Sequence, residues 1–156
     1  MIILDIEASG LADESYPIEV AWVDRRDRRR QDSFLIRPHP DWNHWDENAE
    51  MIHGIDRPTL EAEGIDVAHA VRRLERDLTG ETVYSDAVEH DRPWMVRLFE
   101  AVGRDQLCMR FAHTLSLVPP DKAMDLYQRF DATKSRHRAL DDAIKWADIL
   151  DYVAPI

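Results

Sequence analysis

The sequence predicts an α/β fold in which a mixed five-stranded sheet carries helices on its faces. Three short apolar segments near the start are separated by turn-like sequences, as in an antiparallel meander of strands. Two later apolar segments alternate with helical patterns, and this order favours parallel strands joined by crossover helices. With 156 residues, 44% of them hydrophobic and 33% charged, the chain is predicted to form one domain with a buried core.

The meander is predicted to comprise strands over residues 1–7, 18–23 and 33–36, and the second of these has a strand-like alternation of side chains. Between the second and third strands, residues 25–30 contain five arginines and one aspartate. We interpret this segment as a solvated hairpin turn, with contact to a phosphate backbone as the alternative.

Helical periodicity and end signals place the remaining elements. Gly54 and Gly80 follow helical patterns as stop signals, and Pro93 suits a first helical turn. The resulting elements are helices over 46–53, 66–79, 94–102, 121–130 and 136–153, and strands over 82–85 and 107–111.

Composition excludes several classes of protein. The formal net charge of −11 argues against broad binding to nucleic acid, although bound cations let an acidic site hold a polyanion. The single cysteine, Cys108, rules out a disulfide or a cysteine-based zinc cluster within the chain. No apolar run is long enough to span a membrane and no secretory signal pattern is present, so we expect a cytoplasmic protein that does not bind a membrane.

Two carboxylates close the first predicted strand. Because side chains alternate along a strand, Asp5 and Glu7 leave the same face. A divalent-metal site and a polar strand end are both compatible with this pattern. In the last predicted helix, Asp142 lies roughly 80° from the direction of the apolar residues, at the border of the buried stripe. Asp141 lies on the solvent side, so Asp142 is the carboxylate expected to face a cleft.

Asp91 and His137 each allow two interpretations. Asp91 precedes Pro93 by two residues and is either a helix N-cap or a third metal-facing carboxylate, with Asp86 as the reserve candidate. His137 would point about 140° away from Asp142 on one ideal helix. The two side chains converge only if His137 lies in the preceding loop or the first turn.

Four motifs of the chain resemble those of the DEDDh group of 3′→5′ exonucleases, the superfamily of RNase T, oligoribonuclease and DnaQ-like proteins. The matching positions are Asp5 and Glu7, then His53-Gly54-Ile55, then Asp91 with Trp94 and Met95, and finally His137, Asp142 and Ala143. The second carboxylate motif departs from the pattern, since Asp86-Ala87 replaces the usual His-Asn and His90 replaces a Phe or Tyr. The resemblance implies an RNase H-like fold and a single exonuclease domain over residues 1–156.

The resemblance also implies a chemistry. Two divalent cations, Mg²⁺ or Mn²⁺, would be held by Asp5, Glu7, Asp91 and Asp142. His137 would be the general base, with Glu7 as a further catalytic group, and Leu11 and His53 would contact the terminal nucleotide. The expected reaction is metal-dependent hydrolysis of phosphodiester bonds by a two-metal mechanism, releasing nucleoside 5′-monophosphates from the 3′ end of a single strand.

Three hypotheses remain about what the protein acts on or binds. Small free-standing members of the group often trim RNA, so we expect RNA in preference to DNA. A DNA proofreading or repair exonuclease is the first alternative, and a non-catalytic relative that binds nucleic acid is the second, motivated by the altered motif around Asp91. Pairing into a homodimer is a further expectation that no particular residue decides.

Overall fold

Five strands form one mixed sheet in the computed structural model, which describes residues 1–133 and 136–156. They are β1 (Ile2–Ala8), β2 (Pro17–Asp24), β3 (Gln31–Leu35), β4 (Thr82–Ser85) and β5 (Arg110–His113), and their order across the sheet is β3-β2-β1-β4-β5. The β1–β2 and β2–β3 pairs are antiparallel, whereas β1–β4 and β4–β5 are parallel. The predicted mixed sheet is therefore confirmed, and β5 lies a few residues later than expected.

Six α-helices surround the sheet in the part of the chain that the structure describes. They are α1 (Glu47–His53), α2 (Arg57–Glu63), α3 (Val67–Leu78), α4 (Val88–Glu100), α5 (Ala123–Ala132) and α6 (Ala139–Val153). The predicted helices over 46–53, 66–79, 121–130 and 136–153 correspond to α1, α3, α5 and α6. The first three helices each begin at an aspartate whose side chain accepts a backbone N–H of the first turn: Asp46, Asp56 and Asp66. Helix α2 was not predicted.

Helix α4 begins earlier than predicted. Its first residue is Val88 and its N-cap is Ala87, so Pro93 lies in the second turn and not in the first. A proline there cannot donate to the carbonyl of Glu89, yet the helix continues because Met95, like its neighbours Leu98 and Phe99, is buried in the core. Asp91 lies inside the helix, so the interpretation of Asp91 as an N-cap is wrong.

The two faces of the sheet support separate cores. Even-numbered residues of β1, such as Leu4, pack with α2, α3 and α4, whereas Ile3 packs against α5 and α6. All eight residues of β2 are buried because helices cover it on both sides. Asp5 and Glu7 share the face of Ile3, which places them beneath α6.

The arginine-rich turn contacts the end of α6. Arg25 is 5% exposed and donates to the carbonyl of Leu150 at 2.6 Å, to the carbonyl of Ala154, and to Asp151 at 2.6 Å. Positive charge at the carboxyl end of a helix is stabilising. Interpreting the turn as merely solvated is therefore wrong for Arg25. In the described residues, no helix is both long and apolar enough to cross a membrane.

Candidate active site

Three carboxylates from two elements meet at the carboxyl end of β1. Asp5 and Glu7 extend from the strand, and Asp142 comes from the first turn of α6. One oxygen from each of them lies within 4.8 Å of the other two. Asp142 lies 135 or more positions after Glu7 and Asp5 in the sequence, so only the packing of α6 on β1 brings the three side chains together.

Asp142 reaches the cluster because of where it lies on α6. Its neighbours Ala143 and Trp146 are buried against the sheet, and Asp142 itself is only 7% exposed. Asp141 is exposed, as the helical angle predicted. The orientation expected for these two aspartates is thus confirmed.

Asp91 lies outside the group of three but beside it. It is 1% exposed, and its Oδ2 accepts a hydrogen bond from the buried Oγ of Ser85, the last residue of β4. Of the charges that act on Asp5, that of Asp91 raises its pKa most. Asp91 therefore contributes to the electrostatics of the same site from α4, beside the end of β4.

Asp86 also borders the site. The parallel pairing of Ile3 with Tyr84 continues to place Asp5 level with Asp86, the residue that follows β4. Burial raises the pKa of Asp86, and the charges of His113 and Asp142 act on it in opposite directions. Both candidates for the further carboxylate thus lie near Asp5, and the burial of Asp91 together with its larger effect on Asp5 favours Asp91.

The crowding has a clear electrostatic consequence. Burial, followed by the charges of Asp142, Glu19 and Asp91, raises the pKa of Glu7 from 4.5 to about 8. Burial and neighbouring carboxylates also raise the pKa of Asp5 and of Asp91 well above the usual range. Carboxylates that repel one another in this way ionise together at lower pH when a cation compensates their charge.

His137 lies in the segment that leads into α6, two residues before the helix begins. It is exposed and is not part of the group of three carboxylates. Its φ of 50° is in the left-handed region, which is uncommon for residues other than glycine. The next residue, Arg138, binds Glu19 of β2 at 2.7 Å. His137 therefore occupies the loop position that the sequence required for convergence with Asp142.

A cleft of about 290 Å³ adjoins Glu7 and contains both predicted substrate-binding residues. Leu11 is 72% exposed at its rim, whereas His53 is 4% exposed, its Nδ1 accepting the N–H of Ile55 at 3.0 Å. Burial is the main cause that lowers the pKa of His53. The lining also includes Gly10, Asp46, Asn48, Ala49, Ile52 and Trp94.

A larger open groove of about 570 Å³ lies between α5 and α6, and its lining contains Asp141 but none of the clustered carboxylates. Because the lining of the smaller cleft includes Glu7, that cleft is the better candidate for a ligand of the site.

The donor set fits a hard divalent cation. Mg²⁺ and Mn²⁺ prefer carboxylate oxygens. Asp5, Glu7 and Asp142 offer three such oxygens that lie close enough together to bind one ion. Burial, together with the neighbouring carboxylates, raises the pKa of Glu7 and of Asp5, so a bound cation would favour the ionised form of the cluster.

Three residues beside the site were not singled out from the sequence. Ser85 hydrogen-bonds Asp91, and Glu19 holds Arg138 at the start of α6. A serine at a strand end and a glutamate within a strand carry no motif signal. The one available signal for Glu19 was its charge, because it lies in β2, a strand that helices cover on both sides.

Comparison with known proteins identifies the fold. No family model matches the sequence, and no curated protein matches it. Among solved structures, the zinc ion-bound form of E. coli exonuclease I in complex with single-stranded DNA superposes with a TM-score of 0.76 at 16% identity, covering 99% of this chain and 40% of that one. E. coli exonuclease I with a dA16 oligonucleotide gives a TM-score of 0.76 at 15% identity over 99% of this chain and 41% of that chain.

A moderately thermophilic exonuclease I from Methylocaldum szegediense gives a TM-score of 0.75 at 14% identity, over 99% of this chain and 40% of that chain. The protein thus spans about two fifths of the length of these structures. At such low identity the likeness establishes a shared fold: the chain has the RNase H-like α/β architecture found in exonuclease I, in agreement with the expectation from the sequence.

Proposed function

We propose that this protein is a metal-dependent 3′→5′ exonuclease that acts on single-stranded nucleic acid and releases nucleoside 5′-monophosphates. The observation that carries the proposal is the meeting of Asp5, Glu7 and Asp142 at the end of β1. It is supported by the fold shared with exonuclease I, which is solved with single-stranded DNA. The order of the four motifs, as in the DEDDh group, supports it independently.

Each residue has a proposed role. Asp5, Glu7, Asp142 and Asp91 would hold two divalent cations, Mg²⁺ or Mn²⁺, whose charge of +4 matches the four carboxylates. Bound there, such ions activate a water molecule and stabilise the leaving 3′ oxygen. His137 would accept the proton of the attacking water, since imidazole is the side chain most often used as a general base.

The cleft beside Glu7 would receive the terminal nucleotide. Leu11 offers an exposed apolar side chain against which a base can stack, and Trp94 supplies an aromatic ring in the same lining. His53 closes the inner end. The indole of Trp42 is buried and stacked on Tyr16 in the core, with ring centroids 5.2 Å apart, so it is not available to a base.

Both DNA and RNA are substrates to be tested. Single-stranded DNA is the polymer present in the similar solved structures, whereas the expectation of RNA rests on small members of the DEDDh group, which often trim RNA. Direct contact to the 2′-hydroxyl distinguishes the two polymers. The proposed function is common to both, and the substrate preference is settled by measurement.

The test is digestion of matched 5′-labelled single-stranded DNA and RNA oligonucleotides with Mg²⁺ or Mn²⁺, and with EDTA. We expect a ladder that shortens from the 3′ end, mononucleotide products, and no cleavage in EDTA. Asp142→Asn should abolish the ladder while the protein stays folded. Asp141→Asn is the matched control, since this neighbouring aspartate is exposed and should leave the rate unchanged.

Two outcomes would contradict the proposal. Full activity of Asp142→Asn would remove Asp142 from the site. Binding of the oligonucleotide with Mn²⁺ but without shortening of either polymer would identify the protein as a non-catalytic relative, the alternative that the altered motif around Asp91 suggests.

A further inference from the structure

Glu19 joins β2 to the start of α6. It is 4% exposed and pairs in register with Glu7 on β1. Its Oε1 accepts from Arg138 Nη2 at 2.7 Å, and both of its oxygens lie within 3.1 Å of Arg138 Nε. Its Oε2 also accepts the backbone N–H of Ala139, the first residue of α6, at 3.1 Å. A buried carboxylate is thus satisfied by one fork-shaped cation and one helix-end donor.

The other end of α6 is held by the other end of the same strand. Arg25, directly after β2, donates to the carbonyls of Leu150 and Ala154. From Glu19 to Arg25 an extended chain covers about 20 Å, and the 15 residues of α6 are about 22 Å long. The negative charge of Glu19 lies at the amino end of α6 and the positive charge of Arg25 at its carboxyl end, so both interact favourably with the helix dipole.

The amino-terminal contact lies at the candidate active site, whereas the carboxyl-terminal contact lies a helix length away. His137 immediately precedes Arg138, and Asp142 is in the turn that Ala139 begins. His137 has a left-handed backbone conformation. Arg138, the residue that follows it, is held in place by Glu19. Moving this short segment would move His137 and Asp142 relative to Asp5 and Glu7.

We propose that Glu19 is a positioning residue of the active site, which fixes the start of α6 through Arg138 and the N–H of Ala139 so that Asp142 and His137 face the carboxylates of β1. This inference rests on the proposed function. The hydrogen bonds of Glu19 go to α6, so it positions the residues that α6 carries. Its charge also acts on Glu7, its neighbour across the two strands. Arg138→Lys keeps both the charge of Glu19 and that of residue 138, so this variant reports on positioning alone.

The test compares Glu19→Gln with Arg25→Gln. In Glu19→Gln an amide NH₂ replaces one oxygen and must face Arg138 or Ala139 N–H, both of which are donors. We expect Mn²⁺ affinity, measured by titration calorimetry without nucleic acid, to fall about 10-fold or more, as for other groups that orient metal ligands. With an oligonucleotide, kcat should fall by about 10–100-fold with KM little changed, because the cleft lies on other elements.

Arg25→Gln is the matched control at the far end of α6. It should lower the melting temperature but leave Mn²⁺ affinity, kcat and the pH–rate profile unchanged. If it does not fold, Arg28→Gln replaces it, since Arg28 binds Asp148 and Asp151 of the same helix end. Arg138→Lys keeps the charge but loses the planar fork, so it should lie between the wild type and Glu19→Gln in both readouts.

The inference is overturned if Glu19→Gln retains wild-type Mn²⁺ affinity and kcat, or if Arg25→Gln impairs both as strongly at equal loss of stability. The second result would mean that Glu19 serves stability alone. A wild-type protein that binds Mn²⁺ but cuts neither polymer would refute the proposed function, and the Mn²⁺ affinities would still decide whether Glu19 positions Asp142.

Discussion

Ser85 and Asp91 form a buried pair joined by one hydrogen bond. The hydroxyl of Ser85 donates to Asp91 and also accepts the N–H of Ala87 at 3.0 Å, at the turn between β4 and α4. Ser85 is fully buried and Asp91 nearly so. No water can replace this donor without rearrangement, so the hydroxyl determines how stably a carboxylate is held there.

Ser85→Ala should therefore destabilise the protein by about 1–3 kcal/mol, the cost of leaving a buried acceptor unsatisfied. Urea unfolding at neutral pH measures the change. Ser33→Ala, at an exposed position of β3, is the control and should change the stability by less than about 0.5 kcal/mol. Equal effects of the two substitutions would show that the bond to Asp91 contributes nothing.

His137→Ala separates proton transfer from metal binding. If His137 accepts the proton of the attacking water, its loss should lower kcat by roughly 10²–10⁴-fold and flatten the acidic limb of the pH–rate profile. Mn²⁺ affinity should stay near the wild-type value, because His137 is not one of the three clustered ligands. A variant with unchanged kcat would exclude His137 as the base.

At the scale of elements, the loop after β1 is closed by close packing at Gly10. A Cβ there would lie 2.7 Å from His44 Cε1 and 2.9 Å from Asp46 Cβ. Asp46 is the N-cap of α1, and its N–H bonds the carbonyl of Ser9 at 2.8 Å. This contact holds α1, which carries His53, beside the loop that carries Leu11.

Gly10→Ala should force these elements apart at a cost of about 1–3 kcal/mol, as for other overpacked positions. It should also raise KM for the oligonucleotide more than it lowers kcat, because the cleft widens while the carboxylates of β1 stay in place. Gly10→Val should be worse in both respects. Thermal unfolding and steady-state kinetics of the two variants test this, and a stable Gly10→Val protein would contradict it.

Element prediction from the sequence succeeded where local signals and tertiary packing agree. Helical spacing and Gly80 located α3 to within one residue at each end. It failed for the start of α4 because Pro93 was treated as a first-turn signal, whereas core packing of Met95 carries the helix through the proline. The missed helix α2 had usable signals in its Asp56 cap and the proline that follows.

At the scale of the whole molecule, the acidic cluster sets how stability depends on pH. The folded-state pKa of Glu7 is about 8 against 4.5 for an ordinary glutamate, and those of Asp5 and Asp91 are also raised. The folded protein therefore binds more protons than the unfolded chain in this range. The stability that these groups contribute is fully present below about pH 4.5 and is lost as the pH rises towards about 8.

In EDTA, the melting temperature should accordingly fall by several degrees between pH 5 and pH 8.5, through the range between these two pKa values. Below about pH 4 it should fall as well, since hydrogen bonds from the N–H of Arg26 and the N-terminus lower the pKa of Asp24, and those from Arg25 and Arg28 lower the pKa of Asp151. Differential scanning calorimetry across this range measures both limbs. Asp5→Asn should flatten the alkaline limb.

Addition of Mn²⁺ should reverse the alkaline decline, because the cation binds the ionised cluster and releases its protons. Ca²⁺ and Na⁺ at matched ionic strength separate specific binding from screening of the net charge of −11. A melting temperature in EDTA that rises from pH 5 to pH 8.5 would show that the carboxylates are not crowded as described.

The convergence of distant residues is where the sequence alone was least informative. Periodicity placed Asp5 and Glu7 on one face and Asp142 at the edge of a buried stripe, and both orientations are observed. Resemblance supplied the expectation that they meet. The anchoring of α6 by Glu19 could not be foreseen, because its partner Arg138 lies 119 residues away and a hydrogen bond of that range leaves no local pattern.

The most direct test of the metal site is an anomalous difference map from a crystal of this protein grown with Mn²⁺ and a nucleoside 5′-monophosphate. We predict manganese peaks bonded to Asp5, Glu7 and Asp142, with Asp91 completing the carboxylate set and the phosphate bound to the same ions. A map at saturating Mn²⁺ with no peak among these oxygens, or with peaks only elsewhere on the surface, would contradict the site and the nuclease function built on it.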